Sequence, residues 1–237
     1  MYASKLFESD NILVFDCLGI PRVFTELQIY SYADDDISHS NLYQGIEHMV
    51  DNKIWRKFYH ESMGTYFMET DSYTNWCLKC LANRRENINQ KCKEDVILKL
   101  FFDNFISTLP SDQTVVNRVE IEKRLELNES LLNRLIQQGI LSIEGGNSWR
   151  LSVPRIGFLL VELREGRNTL KCALNRRKSK QILISDLYRL MTETNSSNAL
   201  KKWRLGFNYH LSDALGSQIV RKYDTSMGPM ISKHIEK

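Results

Sequence analysis

Four cations lie within the six residues Asn175–Lys180, in the order Asn-Arg-Arg-Lys-Ser-Lys, and they are the strongest chemical signal in the chain. Around them, residues 155–204 hold twelve Lys or Arg against four Asp or Glu, a net charge of +8 in a chain of +3. Cations concentrated in one region are typical of a protein that binds a polyanion, because neutralising phosphates releases their condensed counterions. A nuclear import signal or a solvated helix face is the alternative interpretation.

The spacing of these cations predicts a binding stripe. Arg167, Lys171 and Lys178 recur at intervals of four and seven residues, which places them on one face of a helix. Arginine can place two hydrogen bonds on one phosphate and lysine adds point charge, so about eight such contacts would make binding steeply salt-dependent with little base specificity. Trp149 and Trp203 could stack on bases, although aromatic residues in such positions more often fill a core. The predicted DNA-binding residues are Arg167, Lys171, Arg176, Arg177, Lys178, Lys180, Lys201, Lys202 and Arg204.

Enzyme signatures are missing from the sequence. Glu144-Gly145-Gly146-Asn147 lacks the flanking glycines and the lysine of a phosphate-binding loop. No His-Arg-Asp or Asp-Phe-Gly triplet occurs, so the catalytic base and the magnesium ligands of a protein kinase have no candidates. The sequence therefore predicts a non-catalytic protein with no cofactor and no small-molecule substrate.

Two groups of residues admit a metal-binding interpretation beside a structural one. Cys77 and Cys80, with Cys92 and His60, could hold zinc, but the second ligand pair is incomplete and the spacing suits buried thiols on a helix. Asp34-Asp35-Asp36 could hold Mg²⁺, but adjacent acids before a helix more often cap it and complement its dipole. We therefore predict no metal site, and the role of the three cysteines stays open.

Charge is unevenly divided along the chain. Residues 1–95 carry a net charge of −5 and residues 96–237 a net charge of +8. We therefore expect the acidic half to bind protein and the basic half to bind nucleic acid. No apolar run reaches the ~20 residues of a membrane span, and the first residues do not resemble a signal peptide. Five cysteines without framework spacing favour a reducing compartment.

One order of elements, helices followed by a two-stranded ribbon, recurs three times along the sequence. In the middle copy, apolar spacing predicts a helix from Val96 to Ile106, a second over 115–125 that buries Val119, and a third after an N-cap at Asn128. A hairpin about the turn 144–147 follows. Three helices and a hairpin are the order of a winged helix, a helix-turn-helix variant.

The predicted fold class is therefore α+β, mainly helical, with three tandem winged-helix domains. The first copy has helices over 22–30 and 41–51 and strands over 54–59 and 65–68; the third has a helix from Ile182, a short strand over 203–207, a helix over 211–223 and a hairpin over 225–231. Gly166 is the candidate break in the helix that connects the last two copies. The predicted domains are 1–90, 91–154 and 180–237, with the connecting helix over 155–179.

Several motifs in the carboxyl-terminal half resemble a known family. They are Gly139-Ile140-Leu141-Ser142, the stretch Ser148–Pro154, Gly166-Arg167, the stretch Arg204–His210 and the stretch Asp213–Val220. On these residues the chain resembles the family named serine/threonine-protein kinase 19. The resemblance covers about residues 95–237 and is much weaker over residues 20–80.

The resemblance implies tandem winged helices that, despite the kinase name, bind double-stranded DNA in the nucleus and act in transcription-coupled nucleotide excision repair. It implies partners in the RNA polymerase II-associated repair complex. The family's DNA-contacting stretch falls on Arg176, Lys178 and Lys180, with Arg177 an added cation. An insertion at 192–199 displaces a second basic patch, for which Lys201 and Lys202 are the replacements. The family's Arg-rich amino-terminal tail has no counterpart here, which assigns import to residues 175–180.

The leading interpretation is a non-enzymatic nuclear protein that grips the DNA backbone at the junction of its second and third winged helices. Its acidic first unit is expected to dock on protein. The alternative is a scaffold whose winged helices bind only proteins, with residues 175–180 serving for import. Neither interpretation includes a membrane.

Overall fold

The computed structural model describes residues 19–31, 38–82, 101–124, 129–192 and 203–234, which fall into two compact units. The carboxyl-terminal unit joins residues 19–20 and the described residues within 24–42 to those within 157–237, and the central unit comprises those within 43–156 together with 21–23. Both units combine helices with small antiparallel strands, which confirms the α+β class. Within these ranges, no helix is long and apolar enough to cross a bilayer.

The first part of the chain alternates short strands and helices. Its elements are β1 (Phe24–Thr25), α1 (Glu26–Tyr30), α2 (His39–Asp51), β2 (Trp55–His60), β3 (Gly64–Glu69) and α3 (Thr70–Ala82). The hairpin predicted over 54–59 and 65–68 is confirmed, because β2 pairs with β3 from Trp55 opposite Glu69 to His60 opposite Gly64. The helix predicted over 22–30 starts only at Glu26, because Thr25 is extended and forms a capping box with Gln28.

The central unit has an aromatic core. Phe58 stacks on Tyr66 with ring centroids 5.3 Å apart, and Tyr73 packs against Phe58 at 4.9 Å. Residues 101–108 form a π turn followed by a 3₁₀ turn. Buried Arg56 donates a 2.8 Å hydrogen bond to the carbonyl of Ile106, which satisfies a carbonyl at the end of these turns.

A three-stranded sheet completes the central unit. Its elements are β4 (Val115–Asn117), α4 (Arg118–Arg124), α5 (Glu129–Gln137), β5 (Leu141–Gly145) and β6 (Ser148–Leu151), and the strand order is β4-β6-β5. The predicted hairpin is confirmed. The helix predicted over 115–125 is wrong at its start, where residues 115–117 form a strand opposite Ser148–Arg150.

Asn117 explains why that helix begins late. Its side-chain oxygen accepts a 2.8 Å hydrogen bond from the amide of Glu120, and the carboxylate of Glu120 accepts one of 3.0 Å from the amide of Asn117. This reciprocal cap holds residue 117 outside the helix. Val119 was predicted to be buried but is 56% exposed.

The carboxyl-terminal unit repeats the order of the central sheet. Its main elements are α6 (Ile156–Asn175), β7 (Gln181–Leu183), α7 (Ile184–Thr192), α8 (Phe207–Gly216), β8 (Val220–Thr225) and β9 (Gly228–Lys233). The strand order is β7-β9-β8, with the first strand next to the last as in the central sheet. The core between sheet and helices contains Leu170, Leu174, Ile182, Leu187, Met191, Trp203, Ala214, Val220 and Ile231.

Four predictions for this unit are wrong. The helix predicted from Ile182 starts only at Ile184, because residues 181–183 form β7 opposite residues 230–232. Residues 203–207 form no strand, because Trp203 lies in a turn and Phe207 begins α8. The helix predicted over 211–223 ends at Gly216, and the hairpin starts at Val220. The helix α6 continues through Gly166, where a Cβ atom would lie 2.2 Å from Nδ1 of His210. The glycine therefore serves a close contact between helices rather than a break.

The short helix α1 packs on α8 within the same unit. The side-chain amide of buried Gln28 donates a 3.1 Å hydrogen bond to the carbonyl of Tyr209. A Cβ atom on Gly216 would lie 2.0 Å from the carbonyl oxygen of Leu27, so only glycine permits this approach. The pattern of the sequence does not predict this contact, which joins residues 181 positions apart.

Candidate nucleic-acid interface

The basic run (residues 175–180) connects α6 to β7. The amides of Arg176 and Arg177 donate to the carbonyls of Cys172 and Leu174, at 3.2 and 3.1 Å, so the run leaves the helix through a tight turn. The amide of Lys180 then donates to the carbonyl of Arg177 at 3.0 Å. These bonds hold the backbone in place and turn the side chains outward.

All four cations of the run are exposed, as is Lys171 one turn earlier on α6. None of these five cations forms an ion pair with another described residue. Binding a partner therefore does not require breaking an ion pair to another described residue. Five exposed cations on adjacent segments, without an acidic partner among the described residues, produce a positive potential that attracts a polyanion.

An open pocket of about 460 Å³ lies beside the run. Lys171 and Lys180 line it together with Lys233 and His234 from the end of the last hairpin. The amide of Lys233 donates a 3.1 Å hydrogen bond to the carbonyl of Lys180, which fixes the two segments against each other. We call the set Lys171, Arg176, Arg177, Lys178, Lys180 and Lys233 the basic surface.

Sequence reasoning did not find Lys233. It lies 53 positions after Lys180 and outside the charge-rich window, and only the pairing of β7 with β9 brings the two lysines together. The signal that could have found it was the short strand β7, which the helical interpretation of residues 182–190 concealed.

Arg167 was predicted to bind DNA, and the structure places it in an ion pair. Its Nε and Nη2 atoms donate to the two carboxylate oxygens of Asp213, both at 2.7 Å. The Asp213 side chain is 1% exposed, and the pair raises the pKa of Arg167. This guanidinium joins α6 to α8 and its fork of donors is already occupied.

Arg204 is partly compensated in the same way. Its Nη1 atom lies 2.8 Å from the carboxylate of Glu162. Lys201 and Lys202, the remaining predicted contacts, lie outside the described residues. The structure therefore brings together Lys171, Arg176, Arg177, Lys178 and Lys180, and it does not bring Arg167 or Arg204 into that exposed set.

The two candidate tryptophans are buried. Trp149 lies on β6, and Trp203 donates from its indole nitrogen to the carbonyl of Gly166 at 3.2 Å. Trp203 also packs on the ring of His210, with centroids 5.3 Å apart. Both side chains belong to the cores of their units, as the structural interpretation predicted.

The residues that the sequence offers as metal ligands do not form a ligand set within the part of the chain that the structure describes. Cys77 and Cys80 are buried on α3, and burial raises the pKa of both thiols, which disfavours the thiolate that zinc requires. Cys92 and Asp34-Asp35-Asp36 lie outside the described residues. Within the described ranges, no three His, Cys, Asp or Glu side chains converge in a way that could hold a metal ion.

A comparison with models of protein families shows the family to which this chain belongs. A family model described as inactive serine-threonine protein kinase 19 matches residues 8–232. The chain belongs to this family. The resemblance seen in the carboxyl-terminal motifs is thus confirmed over nearly the whole chain. The matched region of the inactive serine-threonine protein kinase 19 family includes the basic run and ends one residue before Lys233.

Individual relatives in the inactive serine-threonine protein kinase 19 family are distant. Serine/threonine-protein kinase mug51 of Schizosaccharomyces pombe is 27% identical over 234 residues, which cover 94% of this chain and 69% of that protein. Winged helix repair factor 1 of Xenopus laevis is 24% identical over 135 residues, covering 57% of this chain and 48% of that protein. The human protein of the same name is 27% identical over 103 residues, covering 44% and 38%. The match thus spans about half of the Xenopus protein and less of the human one.

Proposed function

We propose that this chain is a non-enzymatic nuclear protein that binds the backbone of double-stranded DNA through its basic surface. The observation that carries the proposal is the group of five exposed cations, Lys171 and the four of the basic run, that pair with no described acid. Cations held by a turn between a helix and a strand suit phosphates, whose spacing along a duplex does not depend on sequence. We expect binding without strong base preference.

The proposed architecture is three tandem winged helices, at residues 1–90, 91–154 and 180–237 with a connecting helix over 155–179. Its support is the repeated plan of the two sheets. In each, a short strand precedes two helices and a hairpin, and the first strand lies beside the last. That plan is the order of a winged helix. The name of the Xenopus and human relatives supports the same architecture.

The proposed biological role is transcription-coupled nucleotide excision repair. The support is the name of two relatives, which are called repair factors, together with the family match. In this proposal the acidic residues 1–95 dock on proteins of the RNA polymerase II-associated repair complex, since their negative charge disfavours contact with DNA. The family's description as inactive supports a role without kinase chemistry, although the fission yeast relative is named a kinase.

Charge reversal at the basic run tests the proposal. Replacing Arg176, Arg177, Lys178 and Lys180 by Glu removes four phosphate contacts. We expect duplex affinity at about 0.15 M salt to fall more than about 100-fold, and the slope of log affinity against log salt to drop by roughly 3 to 4. Fluorescence anisotropy with a labelled duplex at several salt concentrations measures both quantities.

The matched control reverses Lys53, Lys57, Lys79 and Lys123 of the central unit, which changes the net charge by the same amount. We expect this control to retain most of the duplex affinity. If both variants bind like the unmodified chain, the DNA proposal is wrong and the scaffold alternative, with an import role for the basic run, takes its place. Equal losses of duplex affinity in both variants would show that binding responds only to net charge, and they would contradict the assignment of the basic surface as the DNA-binding site.

A further inference from the structure

Ser179 lies inside the basic run and is the only residue there with a hydroxyl group. It is exposed in the turn between α6 and β7, and its Oγ atom makes no hydrogen bond to another described residue. Arg176 and Arg177 precede it by three and two positions, and the order Arg-Arg-x-Ser occurs once in the chain. The hydroxyl is thus accessible, and two arginines precede it closely in the sequence.

Paired arginines before a serine are what a protein kinase with an acidic substrate groove can recognise. Each guanidinium offers a planar fork of donors that matches a carboxylate, which gives both charge and geometry to the recognition. The turn that presents Ser179 lies between the end of α6 and the start of β7, and the amides of Arg177 and Lys180 each donate one backbone hydrogen bond there. Local opening of such a turn costs little compared with opening a helix or a sheet.

Two other Ser or Thr residues follow an arginine by two positions, as Ser179 follows Arg177, and their hydroxyl groups are less accessible. Thr169 follows Arg167 by two positions, but it lies within α6 and its hydroxyl donates a 2.8 Å hydrogen bond to the carbonyl of Glu165. Ser152 follows Arg150 by two positions, but it is half-buried and its amide donates to Ile140. Of the three, Ser179 is the exposed one.

We propose that Ser179 is a phosphorylation site for a kinase that recognises arginine, and that its phosphate weakens DNA binding by the basic surface. The inference rests on the proposed function. In the transfer, Ser179 Oγ forms a bond to the γ-phosphorus of a nucleoside triphosphate while the bond to the bridging oxygen breaks. The hydroxyl proton passes to the base of the kinase, and the nucleoside diphosphate leaves.

The phosphate acts on the basic surface through charge. It adds about −1.5 to −2 charges at pH 7, and the nearest cations in sequence are the four that the run presents to DNA. It therefore compensates about two of these cations and repels the phosphates of the duplex. Loss of about two phosphate contacts lowers affinity at ~0.15 M salt by roughly 10- to 30-fold and the salt slope by about 2.

The test uses the full chain, Mg-ATP and, as the probe kinase, the catalytic subunit of cyclic AMP-dependent protein kinase. Mass spectrometry of peptides locates the phosphate, and anisotropy measures duplex affinity before and after treatment. We expect one phosphate on Ser179, no phosphate on that peptide in Ser179→Ala, and a loss of affinity of about 10-fold or more in the treated chain only. Ser179→Asp should show a smaller loss, and Ser62→Asp, in the exposed turn of the β2–β3 hairpin, should show none.

The outcomes separate the inference from the proposed function. If Ser179 stays unmodified while a free peptide of residues 172–184 is phosphorylated, the site is wrong. If phosphorylated chain binds duplex unchanged while the variant with four Glu residues binds weakly, the inference fails and the proposed function stands. If the variant with four Glu residues also binds unchanged, the proposed function fails and the inference fails with it.

Discussion

Arg167 and Asp213 form a two-point ion pair that ties α6 to α8. The guanidinium contacts both carboxylate oxygens at 2.7 Å, and the carboxylate is almost entirely removed from solvent. A charge in that position is costly without its partner, because an unpaired buried carboxylate loses its hydration. Arg167, which the sequence assigns to a DNA-binding stripe, therefore has a structural role.

Removing the guanidinium should destabilise the carboxyl-terminal unit. We expect Arg167→Ala to lower the free energy of unfolding by about 3 kcal/mol, since Asp213 would stay buried and unpaired. Urea denaturation followed by circular dichroism measures the change. Arg164→Ala, an exposed position on the same helix, is the control and should cost no more than about 0.5 kcal/mol. A lower salt slope for duplex binding by folded Arg167→Ala would instead give Arg167 a direct DNA contact.

Lys233 should contribute to duplex binding although it lies far from the basic run in sequence. We expect Lys233→Gln to lower affinity about 5-fold at ~0.15 M salt and to reduce the salt slope by about 0.9. Arg204→Gln is the comparison, because Glu162 already compensates Arg204. Titrations of both variants at several salt concentrations check this. A larger effect at Arg204 than at Lys233 would place the DNA on a different face.

Gly166 and Gly157 lie on the same helix and should respond in opposite directions to alanine. A Cβ atom at Gly166 would lie within 2.6 Å of two atoms of the His210 ring, whereas a Cβ atom at Gly157 meets nothing within 4 Å. We expect Gly166→Ala to cost about 2 kcal/mol through overpacking and Gly157→Ala to add about 0.5 kcal/mol through the lower chain entropy of alanine. Thermal unfolding of the two variants decides. Stabilisation by both substitutions would mean that α6 and α8 separate readily.

Stability should fall in acid because of His210. Burial, and to a smaller extent the charge of Arg167, lower the pKa of this histidine from 6.5 to about 3. Between those values the unfolded chain binds a proton that the folded chain does not, so the unfolding free energy decreases as pH falls below 6.5, by up to about 1.4 kcal/mol per pH unit. Above pH 6.5 the imidazole is neutral in both states and contributes no slope.

His210→Gln tests this dependence while keeping a side-chain acceptor near the amide of Leu205, which contacts Nε2 of His210 at 3.4 Å. Urea denaturation at about pH 7, 6 and 5, on both sides of the ordinary histidine pKa, compares the dependence of stability on pH in the two proteins. We expect the variant to lose less stability between the highest and lowest pH than the unmodified chain. Equal slopes would place a protonatable His210 in contact with solvent.

The sequence predicted the hairpins and the basic run well, because both have local signals. Glycines and alternating apolar residues mark the turn at 144–147, and like charges mark residues 175–180. It was less successful at the short strands β4 and β7. Val115-Val116 and Ile182-Leu183 carry apolar side chains at spacings that suit a strand or a helix, and only pairing with a distant strand decides between them.

The candidate site shows the same division between local and distant information. The charge pattern groups Arg167 with Lys171 and Lys178, but the guanidinium of Arg167 forms an ion pair with the buried carboxylate of a residue 46 positions later. Charge alone also left out Lys233, which reaches Lys180 through a strand pair. The number of cations in a segment predicts where the positive potential lies. The ion pairs formed in the folded protein determine which of those cations can contact a ligand.

The contact of α1 with α8 sets an order of events during synthesis. Gln28 emerges from the ribosome before its partner, because the carbonyl that accepts its hydrogen bond belongs to a residue 181 positions later. The segment must therefore remain without its packing partner until Tyr209 has been synthesised, and closing so long a loop is slow. In a product that terminates before Phe207, α1 would lack α8 as its packing partner. The apolar residues of α1 would then be exposed to aggregation or proteolysis.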